Sequence, residues 1–280
     1  MEKQPNFSII TQVLNGATYL EECINSVLNQ DYLNIEHIFV DGGSTDGTVE
    51  ILTKYQGEYP NRIRFISEPD KGAGEAWNKG LVMAKGDVFG WVGSDDTYEP
   101  DAIQTVARFF IENPSACFAF GGCNYVNASG EIISVGKTKE FNLEEIIKVG
   151  CYVPTPSSFY RREVRDRIGY YDILGNDLDF LIRAGKEFKI YRIEKVLSNF
   201  RVHEMSASTG LNKKIRRMWL REDCQISRKY GGGILSGYCK RYYQYLLIES
   251  LRPILGFSFP IIKRTLKTLH FNAGECQLRE

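Results

Sequence analysis

The sequence predicts an α/β fold: a wound, mixed, mainly parallel sheet flanked by helices, followed by a C-terminal helical tail. Between residues 7 and 111, four short β-branched or aromatic runs alternate with four segments of helical apolar spacing. From Cys117 the alternation yields to two strand-like runs about a polar turn. Charge then sets the tail apart, because the chain is neutral overall while residues 211–280 hold fourteen Lys and Arg against five Asp and Glu.

Phe7 to Val13 is predicted as the first strand, and Leu20, Cys23, Ile24, Val27 and Leu28 place a helix after it. The pattern predicts strand Ile35 to Val40 with helix Thr48 to Tyr55, strand Ile63 to Ile66 with helix Glu75 to Ala84, and strand Val88 to Val92 with helix Asp101 to Ile111. Successive βα units need crossovers, hence parallel strands. Cys117 to Tyr125 and Glu131 to Val135 read as a hairpin about Asn127 to Gly130, so the sequon Asn127-Ala128-Ser129 is expected to be a turn. A helix over Leu143 to Lys148, a Pro-containing approach Val153 to Ser158 and a helix from about Asp177 to Lys186 follow. Lys189 to Phe200 returns as strands, and residues 201–210 form a polar loop. Helices are expected over Lys213 to Tyr230 and Tyr238 to Leu251, with an apolar, basic-flanked segment from Pro253 to Lys267.

With 43% apolar and 25% charged residues over 280 positions, the chain can bury a sizeable core, which excludes wholesale disorder. One domain over residues 1–210 and a basic, mostly helical tail over 211–280 account for the length. The acidic front suits metal ions better than bare phosphate, and nothing specific points to nucleic acid. Seven cysteines without CxxC or CxxH spacing read as reduced core residues. No charged leader with a long apolar stretch opens the chain and no run of about eighteen apolar residues occurs, so a cytoplasmic location is expected. In the tail, Lys213, Lys214, Arg216, Arg217 and Arg221 surround Met218 and Trp219. Peripheral contact with an anionic membrane, packing on the body and a homodimer contact all suit that segment.

Ligands of wound sheets bind outside the carboxyl ends of the strands, so polar residues directly after each apolar run matter most. After the second run comes Asp41-Gly42-Gly43-Ser44-Thr45-Asp46-Gly47-Thr48, a glycine-rich turn leading into a helix. After the fourth comes Gly93-Ser94-Asp95-Asp96, two adjacent acids that repel unless a cation or solvent compensates them. Oxygen donors of this kind suit Mg2+ or Mn2+.

Together with Ser8-Ile9-Ile10-Thr11, Asn15, Tyr19 to Gln30, Ser67 to Gly72, Trp77-Asn78-Lys79-Gly80 and Lys85-Gly86-Asp87, these two segments resemble the family 2 inverting glycosyltransferases of the GT-A (Rossmann-like) fold. The resemblance covers residues 6 to 205. It implies that Thr11 and Asp41 contact the nucleotide base, Asp41 accepting a ring N–H, and that Asn15, Gly43, Ser44, Asp70, Lys71 and Asn78 serve the donor. Asp87 matches a donor-side position as well. Asp95 is similar to the ribose or diphosphate side of a DxD-like motif and Asp96 to its metal ligand, with Ser94 in place of the first Asp. His203, in Phe200-Arg201-Val202-His203, matches a histidine beside the metal and diphosphate. Gly175-Asn176-Asp177-Leu178-Asp179 resembles the motif whose aspartate is the catalytic base, which makes Asp177 that base, on the first turn of a helix with Asn176 as N-cap in place of the usual Glu. Asp179, two residues on, is expected to orient a neighbour.

The resemblance implies transfer of a sugar from a nucleotide diphosphate sugar, UDP most commonly, to a hydroxyl of a glycan or glycolipid of the cell surface, with Mn2+ or Mg2+. A sugar nucleotidyltransferase would carry a glycine-rich basic phosphate loop near the first strand, and a dehydrogenase GxGxxG; residues 11–15 hold neither. A catalytically degenerate nucleotide-sugar-binding protein stays open.

Overall fold

The apolar runs are strands in the computed structural model, which describes residues 4–172, 176–204, 206 and 213–255. β1 (Phe7–Val13) leads through α1 (Ala17–Leu28) to β2 (Ile35–Asp41), and α2 (Thr48–Glu58) leads to β3 (Ile63–Ser67). α3 (Ala73–Met83) then leads to β4 (Val88–Trp91). These four strands are parallel, with β1 between β2 and β4 and β3 outside β2. A two-residue strand, β5 (Thr97–Tyr98), precedes α4 (Ala102–Glu112). β6 (Phe118–Val126) and β7 (Ile132–Val135) form the hairpin, and at its turn Asn127 Oδ1 accepts from Ser129 N, Ser129 Oγ and Glu131 N at 3.0, 2.8 and 3.0 Å. The sequon is therefore a side-chain-closed turn.

After α5 (Leu143–Lys148) come two elements that the sequence does not announce. β8 (Ser158–Arg161) runs antiparallel between β4 and β6, and α6 (Arg162–Ile168) follows it directly. Pro154 and Pro156 disguise the approach to a four-residue strand, and α6 buries only Val164, too little to give a helical stripe. α7 (Asp177–Glu187) leads to β9 (Ile190–Arg201), a single twelve-residue strand parallel to β6 and antiparallel to β5. The sheet order is β3-β2-β1-β4-β8-β6-β9-β5, with β7 beside β6.

Alternation along β1 divides the core between the two faces of the sheet. Phe7 and Ile9 face α1 and α4 and join Cys23, Val27, Ile103, Val106 and Phe110, while Val13 joins Leu20, Ile24, Leu52 and Tyr55 of α1 and α2. Ile10 faces the other way, against α3, where a Cβ on Gly80 would stand 2.4 Å from Ile10 Cγ2. α3 therefore lies against the sheet at a distance only glycine permits. Trp91 and Tyr160 share that face and are buried to 1% and 0% exposure; burying such side chains is worth roughly 1.5–3 kcal/mol each.

The chain divides into two compact units, residues 1–141 with 153–206, and residues 142–152 with 207–280. The sequence leaves 142–152 with the body, but α5 belongs to the second unit. There α8 (Lys213–Lys229) and α9 (Gly237–Leu255) hold it, Ser227 Oγ donating to Ile147 O at 2.6 Å and Tyr238 OH to Ile146 O at 2.8 Å. The reading of all seven cysteines as reduced core residues is corrected. Cys224 and Cys239 form a disulfide across the packed helices, and of the described free thiols Cys151 is exposed and Cys117 half-buried. Their spacing along the chain hides a pairing that helix packing creates. Cys276 and the segment beyond Leu255 lie outside the described residues, as do residues 205 and 207–210 of the loop expected at 201–210. Among the described residues no helix is long and apolar enough to cross a membrane.

On β2, His37 is buried beneath α1. Its Nε2 lies 2.9 Å from Thr11 Oγ1, whose own proton goes to Val92 O at 2.8 Å. Nε2 must therefore carry the hydrogen, leaving Nδ1 bare and, among the described residues, without a hydrogen-bond partner. A second proton would be buried at Nδ1 with no acceptor. Burial first, and the Arg62 guanidinium after it, push His37 down to about 3 from the ordinary 6.5. Between those two values the unfolded chain takes up a proton that the folded chain refuses, so this residue makes stability fall as pH drops, by up to about 1.4 kcal/mol per pH unit. Denaturant unfolding at about pH 7, 6 and 5 should show a steeper loss for the natural chain than for His37→Gln; equal slopes would clear His37 of the effect.

Candidate functional site

All four parallel strands end at one edge of the sheet. The antiparallel β8 begins there and β9 ends there, as their pairings require. The loops at this edge are stitched together. Asn15, in the left-handed region at φ 54°, donates its backbone N–H to Ser44 Oγ at 2.7 Å and accepts from Thr45 N on Oδ1 at 2.9 Å. Asn tolerates that backbone better than other non-glycine residues. Gly16 N donates to Thr48 Oγ1 and Ala17 N to Asp46 Oδ2, both at 3.0 Å. The loops after β1 and β2 thus form one surface.

Asp41 ends β2 fully buried. Its Oδ2 accepts from Gly43 N, Ser44 N and Ser67 Oγ at 3.1, 3.0 and 2.7 Å, and its Oδ1 takes the Ser44 hydroxyl. These donors come from its own loop and from the end of β3, so the carboxylate shapes the signature loop from within. Gly43 is exposed at φ 90°, and Asp70 packs against Gly42, where an added Cβ would lie 2.9 Å from Asp70 Oδ2. Asp70 Oδ1 accepts from Gly72 N at 2.9 Å, and Lys71 beside it is exposed.

The Thr11 side chain turns away from the loops. The resemblance places it against a nucleotide base, yet its side chain lies on the α1 face, is 0% exposed, and bonds His37 and Val92. The alternation of Phe7, Ile9, Thr11 and Val13 already assigns it to that face. What Thr11 does is pin β4 one residue before the acidic turn.

That turn, Gly93 to Asp96, folds both carboxylates over one point. A Cβ on Gly93 would meet Asp96 Oδ2 at 2.7 Å and Asp95 Oδ1 at 2.9 Å, so any side chain here would push both carboxylates from their places. Asp96 is 5% exposed and its Oδ1 accepts from Arg201 N at 2.8 Å. Burial, and then the neighbouring Asp95, raise its carboxyl well above the ordinary range. Asp95 Oδ2 lies 2.9 Å from His203 Nε2, and the His203 ring packs on Tyr19 with centroids 4.8 Å apart.

Arg201, at the end of β9, organises this corner, and the sequence gives it no role. Nε donates to Asp95 O at 2.9 Å, one terminal nitrogen to Ala128 O at 3.0 Å and the other to the Glu22 carboxylate. The guanidinium lies 4.6 Å over the Tyr19 ring. No sequence signal marks it, because β9 carries three other charged residues, Arg192, Glu194 and Lys195; its burial is what demands several partners.

Asp177 opens α7 beside the same edge. Asn176 caps the helix through Oδ1 to Leu178 N at 2.9 Å, and Thr155 Oγ1 donates to Asp177 Oδ2 at 2.8 Å. Thr155 directly precedes β8, whose start adjoins the end of β4. Asp179 pairs with Arg183 at 2.7 Å and so orients a neighbour. Two residues bond elsewhere in this structure. Asn78 Nδ2 donates to Tyr171 O and its Oδ1 accepts from Tyr171 N, both at 3.0 Å. Asp87 precedes β4 at the opposite edge, where it accepts from Asn6 N at 3.0 Å.

Among the described residues no cluster of three or more side chains is set to hold a metal ion. Magnesium-like ions at phosphate sites commonly use one or two carboxylates, with substrate oxygens and water completing the shell. The paired carboxylates over Gly93, with His203 against Asp95, fit that pattern.

The sequence profile of glycosyl transferase family 2 matches residues 8–169. The hyaluronan synthase of Pasteurella multocida is 33% identical over 220 residues, which is 76% of this chain and 22% of that protein. The chain spans between 15% and 52% of the length of four curated relatives, that synthase among them. Staphylococcus aureus TarS 1–349 in complex with UDP-GlcNAc superposes with a TM-score of 0.61 at 21% identity, over 95% of this chain and 76% of that one. The mannosyltransferase PcManGT from Pyrobaculum calidifontis, in complex with GDP-Man and Mn2+, gives 0.63 at 14% identity, over 97% and 82%. Both establish a GT-A-like fold for the chain.

The contacts of Arg201 carry different weights. Glu22 is largely exposed, so its ion pair is worth at most about 1 kcal/mol, whereas each of the two carbonyl bonds made by the buried, charged guanidinium is worth about 1.5–3 kcal/mol. Arg201→Lys should therefore destabilise the fold by about 2–4 kcal/mol and Glu22→Gln by about 1 kcal/mol or less, read by denaturant unfolding. Equal losses would make the ion pair, and not the carbonyl contacts, the main anchor.

Proposed function

The chain belongs to glycosyl transferase family 2, and from that premise we propose that it is an inverting glycosyltransferase moving a sugar from a nucleotide diphosphate sugar, a UDP-sugar first, to a hydroxyl of a surface polysaccharide or glycolipid. One observation carries the reading. The acidic turn after β4 and the carboxylate that opens α7 stand at the same edge of the sheet, joined through Trp91, Tyr171 and Phe180. A transferase needs such a pair of charges, one group for the leaving diphosphate and one for the acceptor proton. The UDP-GlcNAc of TarS and the synthase relative support the donor class and the polysaccharide setting.

In this reading Asp177 takes the proton of the acceptor hydroxyl while the acceptor oxygen forms its bond to the anomeric carbon. The bond from that carbon to the diphosphate oxygen breaks on the opposite side, so the configuration inverts. The loops after β1, β2 and β3, with Asn15, Gly43, Ser44, Asp70 and Lys71 on their surface, receive the nucleoside; Asp41 holds the loop after β2 to the end of β3 from beneath, and Thr11 holds the chain just after β4. Asp96 and His203, with Asp95 between them, would hold Mn2+ or Mg2+, which when bound neutralises charge on the departing diphosphate. Burial of Asp96 beside Asp95 supports the assignment, since a cation relieves their repulsion. On the second unit, Lys214, Arg216, Arg217, Arg221 and Met218 are exposed on α8 and suit an anionic membrane surface.

A thermal-shift screen of UDP-, GDP- and dTDP-sugars with and without Mn2+ identifies the donor. Asp177→Asn should lower turnover about 100-fold or more while leaving the affinity for UDP with Mn2+ within about twofold. Substantial residual turnover would remove Asp177 as base. Asp96→Ala should abolish the dependence of UDP binding on Mn2+, and an unchanged metal titration would remove it as ligand. Binding to anionic vesicles that weakens as salt rises tests the tail, and its absence at low salt would rule out that contact.

A further inference from the structure

The base of the proposed reaction sits on an element far in sequence from everything that binds donor, so something must fix its distance from the acidic turn. We infer that Asn78 does this: it is a positioning residue that hangs the entry of α7, and with it Asp177, on α3. The inference rests on Asp177 being the base.

Three observations meet at Tyr171. First, Asn78 grips both polar atoms of that residue's backbone, at 3.0 Å each, across ninety-three positions of sequence. A single side-chain amide that replaces two backbone partners acts as a local strand, and it fixes orientation as well as distance. Second, the Tyr171 ring is laminated between the two helices concerned. It stacks on Phe180 of α7 at 4.2 Å and 5° and on Trp77 of α3 at 5.7 Å and 16°. Its edge meets Trp91, the last residue of β4, at 5.7 Å and 89°. Trp77 is Asn78's neighbour, and Phe180 lies one helical turn after Asp177. Third, the chain on either side is tied to α7: Arg183 donates to Ile168 O at 2.6 Å and Tyr170 O at 2.9 Å, and Asp172 Oδ1 accepts from Asn176 N at 3.2 Å.

α3 is a suitable anchor because it packs closely on the sheet. Gly80 lies against Ile10 of β1, and the loop before the helix carries Asp70, which packs on Gly42 of the glycine-rich turn after β2. One helix therefore connects the donor-side loops at its start to the base through Asn78 at its middle. Loss of the clamp leaves the donor loops, which are bonded among themselves, in place.

The test is Asn78→Ala, with Asn78→Asp, which keeps the acceptor for Tyr171 N, as the milder variant should alanine fail to fold. Displacement of a base by about an ångström costs up to about 100-fold in rate, so turnover of the donor found in the screen should fall about 10- to 100-fold with its KM little changed. Binding of UDP with Mn2+, measured by calorimetry, should stay within about twofold of the natural chain. Hydrogen exchange should speed up in peptides covering 168–172 and 176–183 and stay unchanged over 41–48. A large loss of UDP affinity with unchanged exchange at 168–172 would make Asn78 a donor contact and overturn the inference, as would normal turnover in Asn78→Ala. Retained turnover in Asp177→Asn would instead bring down the base assignment; faster exchange in Asn78→Ala would then confirm the clamp while its catalytic meaning fell.

Discussion

Two carboxylates closing over the α-carbon of Gly93 repel one another, and one of them is buried. Such a pair raises the free energy of the fold unless donors or a cation meet it. The surrounding structure supplies the donors. Arg201 gives Asp96 a backbone N–H and ties the turn's own carbonyl with its guanidinium, and His203 meets Asp95 from the same segment. From beneath, Thr11 holds the carbonyl of Val92, and His37 holds Thr11. The full-length β9 has its purpose here, since the strand must run twelve residues to bring Arg201 to the edge where β4 ends.

The layout of the sheet was legible because period-two and helical patterns compete only weakly in the first half. Strands Phe7–Val13 and Ile63–Ser67 and the helices between them announce themselves through buried aliphatics at the right spacing. β5, β8 and α6 were not legible, for physical reasons. β5 has two residues and exists through its pairing with β9, β8 sits behind two prolines, and α6 is covered on one residue only. The disulfide arose from the packing of α8 on α9, which no spacing rule encodes.

At the candidate site, residue type and place at a strand end pointed to the right loops but not to which way each side chain turns. Asp41 and Thr11 stand where they are expected along the chain and face inward, as the alternation of β1 and the burial of Asp41 require. Asn78 stands on the expected helix and bonds a backbone ninety-three residues on. Arg201 went unread because, after a run that already holds Arg192, Glu194 and Lys195, one more charge reads as the start of the polar loop at 201–210; its burial follows only once β9 is known to pass beside β6.

The location of Asp177 raises a question of chemistry as well as geometry. Asp177 stands at a helix N-terminus and takes a hydroxyl from Thr155, and a carboxylate is a weak base toward a hydroxyl. For displacement at an anomeric carbon that weakness is tolerable. Bond breaking to the diphosphate leads, the acceptor hydroxyl becomes strongly acidic only as its oxygen bonds to carbon, and a weak base then suffices to take the proton. What such a base must supply is position, not proton affinity. The heavy aromatic lamination around Tyr171, the clamp of Asn78 and the grip of Arg183 are the parts of this unit that provide it.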